Sequence, residues 1–365
     1  MKQVYQIRLL VLILLILVGA VPLFAAPFAY VPNSGSNDVS VIDTATDTVI
    51  TTIAVGNQPN ASEFNYSGST VYVSNSLDGT VSVIDTATNT VATTVTVGNE
   101  PWEMAITPDD NFVYVANFNT NDVSVIDTST NTVTATIPVG TGPYGIVVSP
   151  DGSTIYVVNW TSSDLSIIDT ATNTVTTTIP LANAAWQLDI SPDGSTLYLA
   201  AHSANSILVF DTATNTVTTS IGGIPDPDGV VVSPSGASVY VASRTAQDVK
   251  VIDTATNTVT APIALGATGN GVAVTPDGTK VYVASESSNQ VFVIDGATNT
   301  ISTTVAVGAA PWSIGHFINR GTPSMGGGIV DDGCGFFIPT GSHVGWFLLV
   351  LGLMLGGIWF TRRRV

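Results

Sequence analysis

Most of this chain is written in short alternations of apolar and polar residues. Trp186-Gln187-Leu188-Asp189-Ile190 alternates residue by residue, the period of a half-buried β-strand. Ser191-Pro192-Asp193-Gly194-Ser195 follows. It is turn chemistry, because Pro presets φ and Gly accepts a positive φ. Leu197 to Ala200 and Ser206 to Phe210 predict a second and a third strand. Asp211-Thr212-Ala213-Thr214-Asn215 makes another turn, and Thr216 to Ile221 predicts a fourth strand. Four short antiparallel strands form one unit, and no stretch within the units has helical periodicity.

The unit repeats. Its turn aspartate recurs at Asp43, Asp85, Asp127, Asp169, Asp211, Asp253 and Asp295, and a tyrosine keeps step at Tyr30, Tyr72, Tyr114, Tyr156, Tyr198, Tyr240 and Tyr282. From Asp43 to Asp85 is 42 residues, and the step never changes. A fixed period of this length with only strand-like content predicts an all-β fold, a seven-bladed β-propeller of four-stranded antiparallel blades over residues 27–320. The series starts at a second strand, Phe28-Ala29-Tyr30-Val31, and stops after a lone first strand, Trp312 to Phe317. Ile318 stands where most units have Pro. The C-terminal strand is therefore expected to complete the blade begun by the N-terminal strands, which closes the ring and removes a sheet edge.

Val113-Tyr114-Val115-Ala116-Asn117, Ile146-Val147-Val148-Ser149-Pro150-Asp151-Gly152 and Val125-Ile126-Asp127-Thr128 resemble the YVTN-family β-propeller repeat. The resemblance implies a propeller of the lactonase-like superfamily. Its relatives include surface-layer and surface-antigen proteins, lactonases and the propeller domain of nitrous oxide reductase. Such a fold does not choose among these functions.

Charge narrows the partners. All 27 acidic residues lie between Asp38 and Asp332, against only Arg244, Lys250, Lys280 and Arg320, so this span carries 4 − 27 = −23. Such a surface repels nucleic acid and anionic lipid, which require basic patches. Cys334 is the only cysteine. It excludes an intrachain disulfide and a cysteine-based metal site.

Comparison between units separates scaffold from site. The recurrent Tyr and Asp solve the same packing problem in every blade and are structural. Two positions vary instead. The residue opening the first strand is Asn60, Trp102, Tyr144, Trp186, Asp228, Asn270 and Trp312. The residue four after the tyrosine is Ser34, Ser76, Phe118, Trp160, His202, Arg244 and Glu286. The first two strands run antiparallel, so both sets fall on one face of the disc, around the channel mouth. That face is the candidate binding surface, because Trp and Tyr give large contact area at small entropic cost. The uniform Pro-Asp-Gly turns fall on the opposite face.

No catalytic residue, metal or cofactor is expected. His202 and His316 are the only histidines in the repeats, and no nucleophile motif or phosphate loop is present. The nearest enzymatic option is a lactonase-like site in the channel, using Glu63, Glu103, Asp228, His202 or Arg244. The Pro-Asp-Gly turns lack the spacing of an EF-hand calcium loop.

The two ends carry targeting signals. Lys2 and Arg8 precede apolar Leu9 to Val18, with Ala25 and Ala26 behind, which predicts a cleaved secretory signal over residues 1–26. A Gly-rich linker containing Gly333 and Cys334 is expected over 321–343, and a transmembrane helix with a cytoplasmic Arg362-Arg363-Arg364 over 344–365. The order of small-residue motif, apolar span and arginine cluster resembles the PEP-CTERM and GlyGly-CTERM sorting signals, although Gly333-Cys334-Gly335 replaces their named motifs. The resemblance implies cleavage near Cys334; without it the tail is a membrane anchor. The expected protein is an exported, cell-envelope or cell-surface interaction module for a protein or glycan. The alternatives are a lactonase-like hydrolase or small-molecule or metal receptor at the channel mouth, and a structural surface-layer protein.

Overall fold

The computed structural model describes residues 27–260 and 262–319. The expected signal segment with Ala25 and Ala26, and the tail with Gly333, Cys334 and the apolar span, lie outside the described residues. No helix among the described residues is long and apolar enough to cross a membrane.

Seven antiparallel sheets follow one another along the chain. The third is typical: Pro101–Ile106, Phe112–Asn117, Asp122–Asp127 and Thr132–Pro138 pair in sequence order. The molecule is a seven-bladed propeller of four-stranded blades, as the repeat predicts. In six blades the register slips by one residue between the third and outer strands, as between Val125 and Ile126. Such bulges increase local twist. The sixth blade breaks its outer strand instead, into Thr258–Val259 and Ile263–Ala264. Pro262 lies in the gap, where it has no N–H to give the ladder. The fifth blade's inner strand is shorter than its alternation predicts. It spans Leu188–Ile190, although the Trp186 N–H still bonds to the Ala200 carbonyl (3.0 Å).

The core lies between blades. Tyr114, Val123 and Val125 of the third blade pack on Ile146, Val148, Ile155 and Val157 of the fourth. The same arrangement joins seventh to first, where Tyr282, Val291 and Val293 meet Ala29, Val31 and Ile42. Burying each large aliphatic side chain contributes about 1.5–3 kcal/mol.

The invariant positions hold turns and neighbours. Asp85 Oδ1 accepts the N–H of Ala87 (2.8 Å) and Thr88 (3.1 Å), and the equivalent aspartates cap their own turns in the same way. The Tyr114 hydroxyl donates to Asn173 in the next blade's turn (2.7 Å), and Tyr30 reaches Asn89 likewise. Burial pushes the Tyr114 phenol up to about 12, so it remains a donor at any physiological pH.

The closure expected from the ends is present. Antiparallel bridges join Ala29 to Ile318 and Asn33 to Pro311, with Tyr30 N–H to the Phe317 carbonyl (2.8 Å) and Ser34 N–H to the Ala310 carbonyl (3.0 Å). The seam between seventh and first blades also carries its own ion pair. Asp47 stands where the other repeats have Asn, and it accepts from both Tyr282 and Lys280, the latter at 2.7 Å. Lys280 also donates to the Thr44 carbonyl (2.6 Å). Replacing Asp47→Asn and Lys280→Thr singly and together, followed by chemical denaturation, is expected to give a coupling energy of about 1 kcal/mol. A coupling of zero would show that the pair adds nothing to closure.

Candidate functional site

Both variable positions do meet at one mouth of the channel. The first position contributes rings from inner strands: Trp102 stacks on Tyr144 (centroids 4.4 Å), Tyr144 contacts Trp186 (5.6 Å), and Trp312 meets Trp102 edge-on (6.0 Å). The second adds Phe118 against Tyr144 (6.5 Å), Trp160 against Trp186 (5.8 Å), and His202 stacked on Trp186 (4.4 Å). Trp160 is 37% exposed, and Leu77, in the loop after the second blade's second strand, is 72% exposed. Ordinary monomers scatter such residues singly; here Trp160 is part of a continuous aromatic cluster.

Charge converges within the rings. The Arg244 guanidinium lies 5.8 Å from the Trp186 ring and 5.3 Å from Trp312, inside the range of cation–π attraction. It pairs with Glu286 (3.2 Å) and Asp228 (3.7 Å). Asn270 donates to Asp228 Oδ2 (3.3 Å), and His202 Nδ1 pairs with Asp226. Burial pushes Asp228 up to about 6 against the opposing pull of Arg244. Burial, with Asp228 close by, also drives the Tyr144 phenol well above its ordinary value.

Several polar atoms in this mouth have no hydrogen-bond partner among the described residues. Both amide atoms of Asn60, which is 1% exposed, are among them, with Trp186 Nε1 and Asp228 Oδ1. A buried polar group without a partner costs about 1–3 kcal/mol. They lie among the stacked rings, where a hydrogen-bonding ligand or water could supply the missing partners.

Deeper in the channel, polar side chains take over from rings. Glu103 accepts from Ile146 N–H (3.1 Å) and from Gln187 Nε2 (3.2 Å). Gln187 accepts from Val230 N–H (3.0 Å), and Asp189 from Val232 N–H (2.7 Å). Each therefore satisfies a backbone donor one blade on. Burial pushes Glu103 up to about 8, with backbone and His316 pulling the other way. Among the described residues, no group of three or more His, Cys, Asp or Glu is placed to share a metal ion.

The two sets of positions singled out by blade comparison fall on this side of the disc. That comparison missed the opposite one. A cavity of about 280 Å³ opens among the Pro-Asp-Gly turns, with Asp189, His316 and Tyr66 in its lining. Five of the turns open on Pro and three read Pro-Asp-Gly, whereas Tyr66 opens the second blade's turn, and the inner strands leading into the turns vary as well. His316 aligns with Phe64, Ile106, Val148, Ile190, Val232 and Val274, and Tyr66 aligns with five prolines and Ile318. Extending the comparison to these positions would have exposed it.

Two family profiles match parts of the chain: a YNCE-like β-propeller over residues 60–153 and a seven-bladed β-propeller lactonase over 128–260. No curated protein matches significantly. Among solved structures, the chain is similar to hydrazine synthase of Kuenenia stuttgartiensis (26% identity, 70% of this chain, 88% of that one, TM-score 0.65). It is similar to a functionally unknown protein from Desulfotomaculum acetoxidans (20% identity, 79% and 99% covered, TM-score 0.68). It also resembles the dihydro-haem d1 dehydrogenase NirN (18% identity, 77% and 63% covered, TM-score 0.62). The last two likenesses concern the fold alone.

The buried carboxyl predicts a pH dependence. Folded Glu103 holds its proton up to about 8, above the unfolded value near 4.5. Its favourable contribution is complete below the unfolded value and is lost as pH rises through about 8. Glu103→Gln keeps an acceptor for Ile146 and removes the titration. The variant is expected to match the parent near pH 5 and to exceed it by a few kcal/mol near pH 9, in denaturation curves collected across that range. An unchanged difference at both ends would mean that Glu103 is ionised throughout.

Proposed function

We propose that this chain is an exported, cell-surface interaction module that binds a glycan on the aromatic mouth of its propeller. The observation that carries the reading is the coincidence of stacked, part-exposed rings with buried polar atoms lacking partners: Asn60, Trp186 Nε1 and Asp228 Oδ1. Rings present flat apolar faces to the C–H faces of a sugar. Carboxylates, an amide and an indole N–H supply the directional bonds that hydroxyls require. An acidic, neutral-ligand site also suits a domain whose overall charge repels polyanions. The basic start with Leu9 to Val18, and Val344 to Phe360 with Arg362 to Arg364, support export and either tethering by a single span or release after processing near Cys334.

A second reading has its own support. Arg244, Asp228, Glu286, Asp226 and His202 form an ionic cluster at the same mouth, and the lactonase profile covers the blades that supply all of it but Glu286. A small-molecule receptor or lactonase-like hydrolase would use these groups to orient a polar head or move a proton.

Glycan binding to the full-length chain, screened on an array and quantified by titration, separates the two. Trp186→Ala and Trp102→Ala are expected to weaken a bound glycan by at least tenfold while leaving the unfolding midpoint within a few degrees. The same preparations assayed with small lactones are expected to show no turnover above background. Turnover abolished by Asp228→Asn, with no glycan bound, would replace the first reading with the second.

A further inference from the structure

The cavity on the turn face is independent of the aromatic mouth. It is built where the repeat is broken. Six of the seven repeats place an aliphatic or phenylalanine side chain at the position of His316, and five place proline at that of Tyr66. At the position of Asp189 the other repeats have Glu63, Ala105, Val147, Val231, Ala273 and Gly315. Packing identical blades does not require these exceptions, yet Tyr66, Asp189 and His316 line one cavity of about 280 Å³.

Its chemistry is specific. The walls are mainly Val, Ile and Pro, with Ser191 and Ser233 among them, so the body of an occupant is largely apolar. Asp189, only 5% exposed, presents its carboxylate, which is fixed by the N–H groups of Ile190 (2.8 Å) and Val232 (2.7 Å). His316 bridges this carboxylate to Glu63, with Nε2 at 3.5 Å from Asp189 and Nδ1 at 3.3 Å from Glu63. Tyr66 adds an aromatic ring, and its N–H is anchored to Asp110 (2.6 Å). No lysine or arginine is among the described residues lining the cavity.

We propose that this cavity is a binding site for a small organic ammonium ion. A preoriented carboxylate, an aromatic ring and apolar walls are the groups that select a cationic head on an apolar body. The volume admits a free small amine rather than a folded partner. Anions are disfavoured by Asp189 and Glu63, and a neutral isostere gains the walls but not the charge.

Benzylamine and benzyl alcohol, equal in shape and different in charge, test this on the full-length chain by calorimetric titration. Benzylamine is expected to bind at least tenfold more tightly than benzyl alcohol. Asp189→Asn is expected to remove that preference. Tyr66→Leu keeps the backbone N–H to Asp110 and is expected to weaken benzylamine several-fold, which preserves the test if the Asp189 variant fails to fold. Trp186→Ala, at the other mouth, is expected to leave benzylamine binding unchanged. Equal affinities for the two probes, or benzylamine affinity retained in both cavity variants, would overturn the proposal. So would loss of benzylamine binding in Trp186→Ala, because the amine would then occupy the aromatic mouth.

Discussion

Closure of the ring is the constraint on which everything else depends. Each blade buries its apolar faces only against its two neighbours, so an open row would leave two faces and one sheet edge in water. The chain closes by bridging its segment from Ala310 to Ile318 onto its first blade, through bonds such as Tyr30 N–H to Phe317 and Ser34 N–H to Ala310. At this one seam, Asp47 and Lys280 replace the neutral residues of the other repeats and add an ion pair. The seam joins segments 233 or more residues apart, as in the Lys280–Asp47 and Ser34–Ala310 bonds. Their pairing carries the largest loop-closure entropy in the fold, which is where an extra contact has most to offset.

Closure also fixes what the channel is. Seven inner strands converge, and their backbones approach closely enough that a Cβ on Gly271 would lie 1.7 Å from the Ser313 carbonyl. Glycines at this position permit the approach in three blades. Two other blades hold a long polar side chain there, Glu103 or Gln187, that turns the crowding into a bond to the next blade's N–H, and the remaining two have the small Ala61 and Ser313. The carboxylates in the channel are thus partly structural, and their presence alone does not signify catalysis. The aromatic mouth differs: Asn60 and Trp186 carry polar atoms that no strand uses.

Fold and site were legible to different depths. The 42-residue step fixed blade number, strand order and the closing strand, because hydrophobic alternation and turn chemistry are local and were repeated seven times. Trp102, Tyr144, Trp186 and Arg244 were also legible, because antiparallel pairing puts both variable positions on one face. What no local pattern showed was their contact across the channel, such as Trp102 against Trp312 or Arg244 between two indoles. Those depend on how far each side chain reaches over an opening whose width is set by all seven blades. The outer-strand break at Pro262 was written in the sequence as a missing donor.

The turn-face cavity shows why uniform turns mislead. The three Pro-Asp-Gly loops, opening at Pro150, Pro192 and Pro276, are alike because their Asp and Gly solve one local problem, as where Asp193 accepts from Ser195 and Gly194 adopts φ +74°. Uniform loops set a rim; they do not determine what stands inside it. The inner strands deliver side chains to that rim from below, and a single exception in one blade suffices to place His316 beside Asp189. In a closed ring, exceptions from distant repeats become neighbours: Tyr66 and His316 are 250 residues apart and line one cavity. The symmetry that makes the scaffold predictable is therefore also the background against which its chemistry stands out.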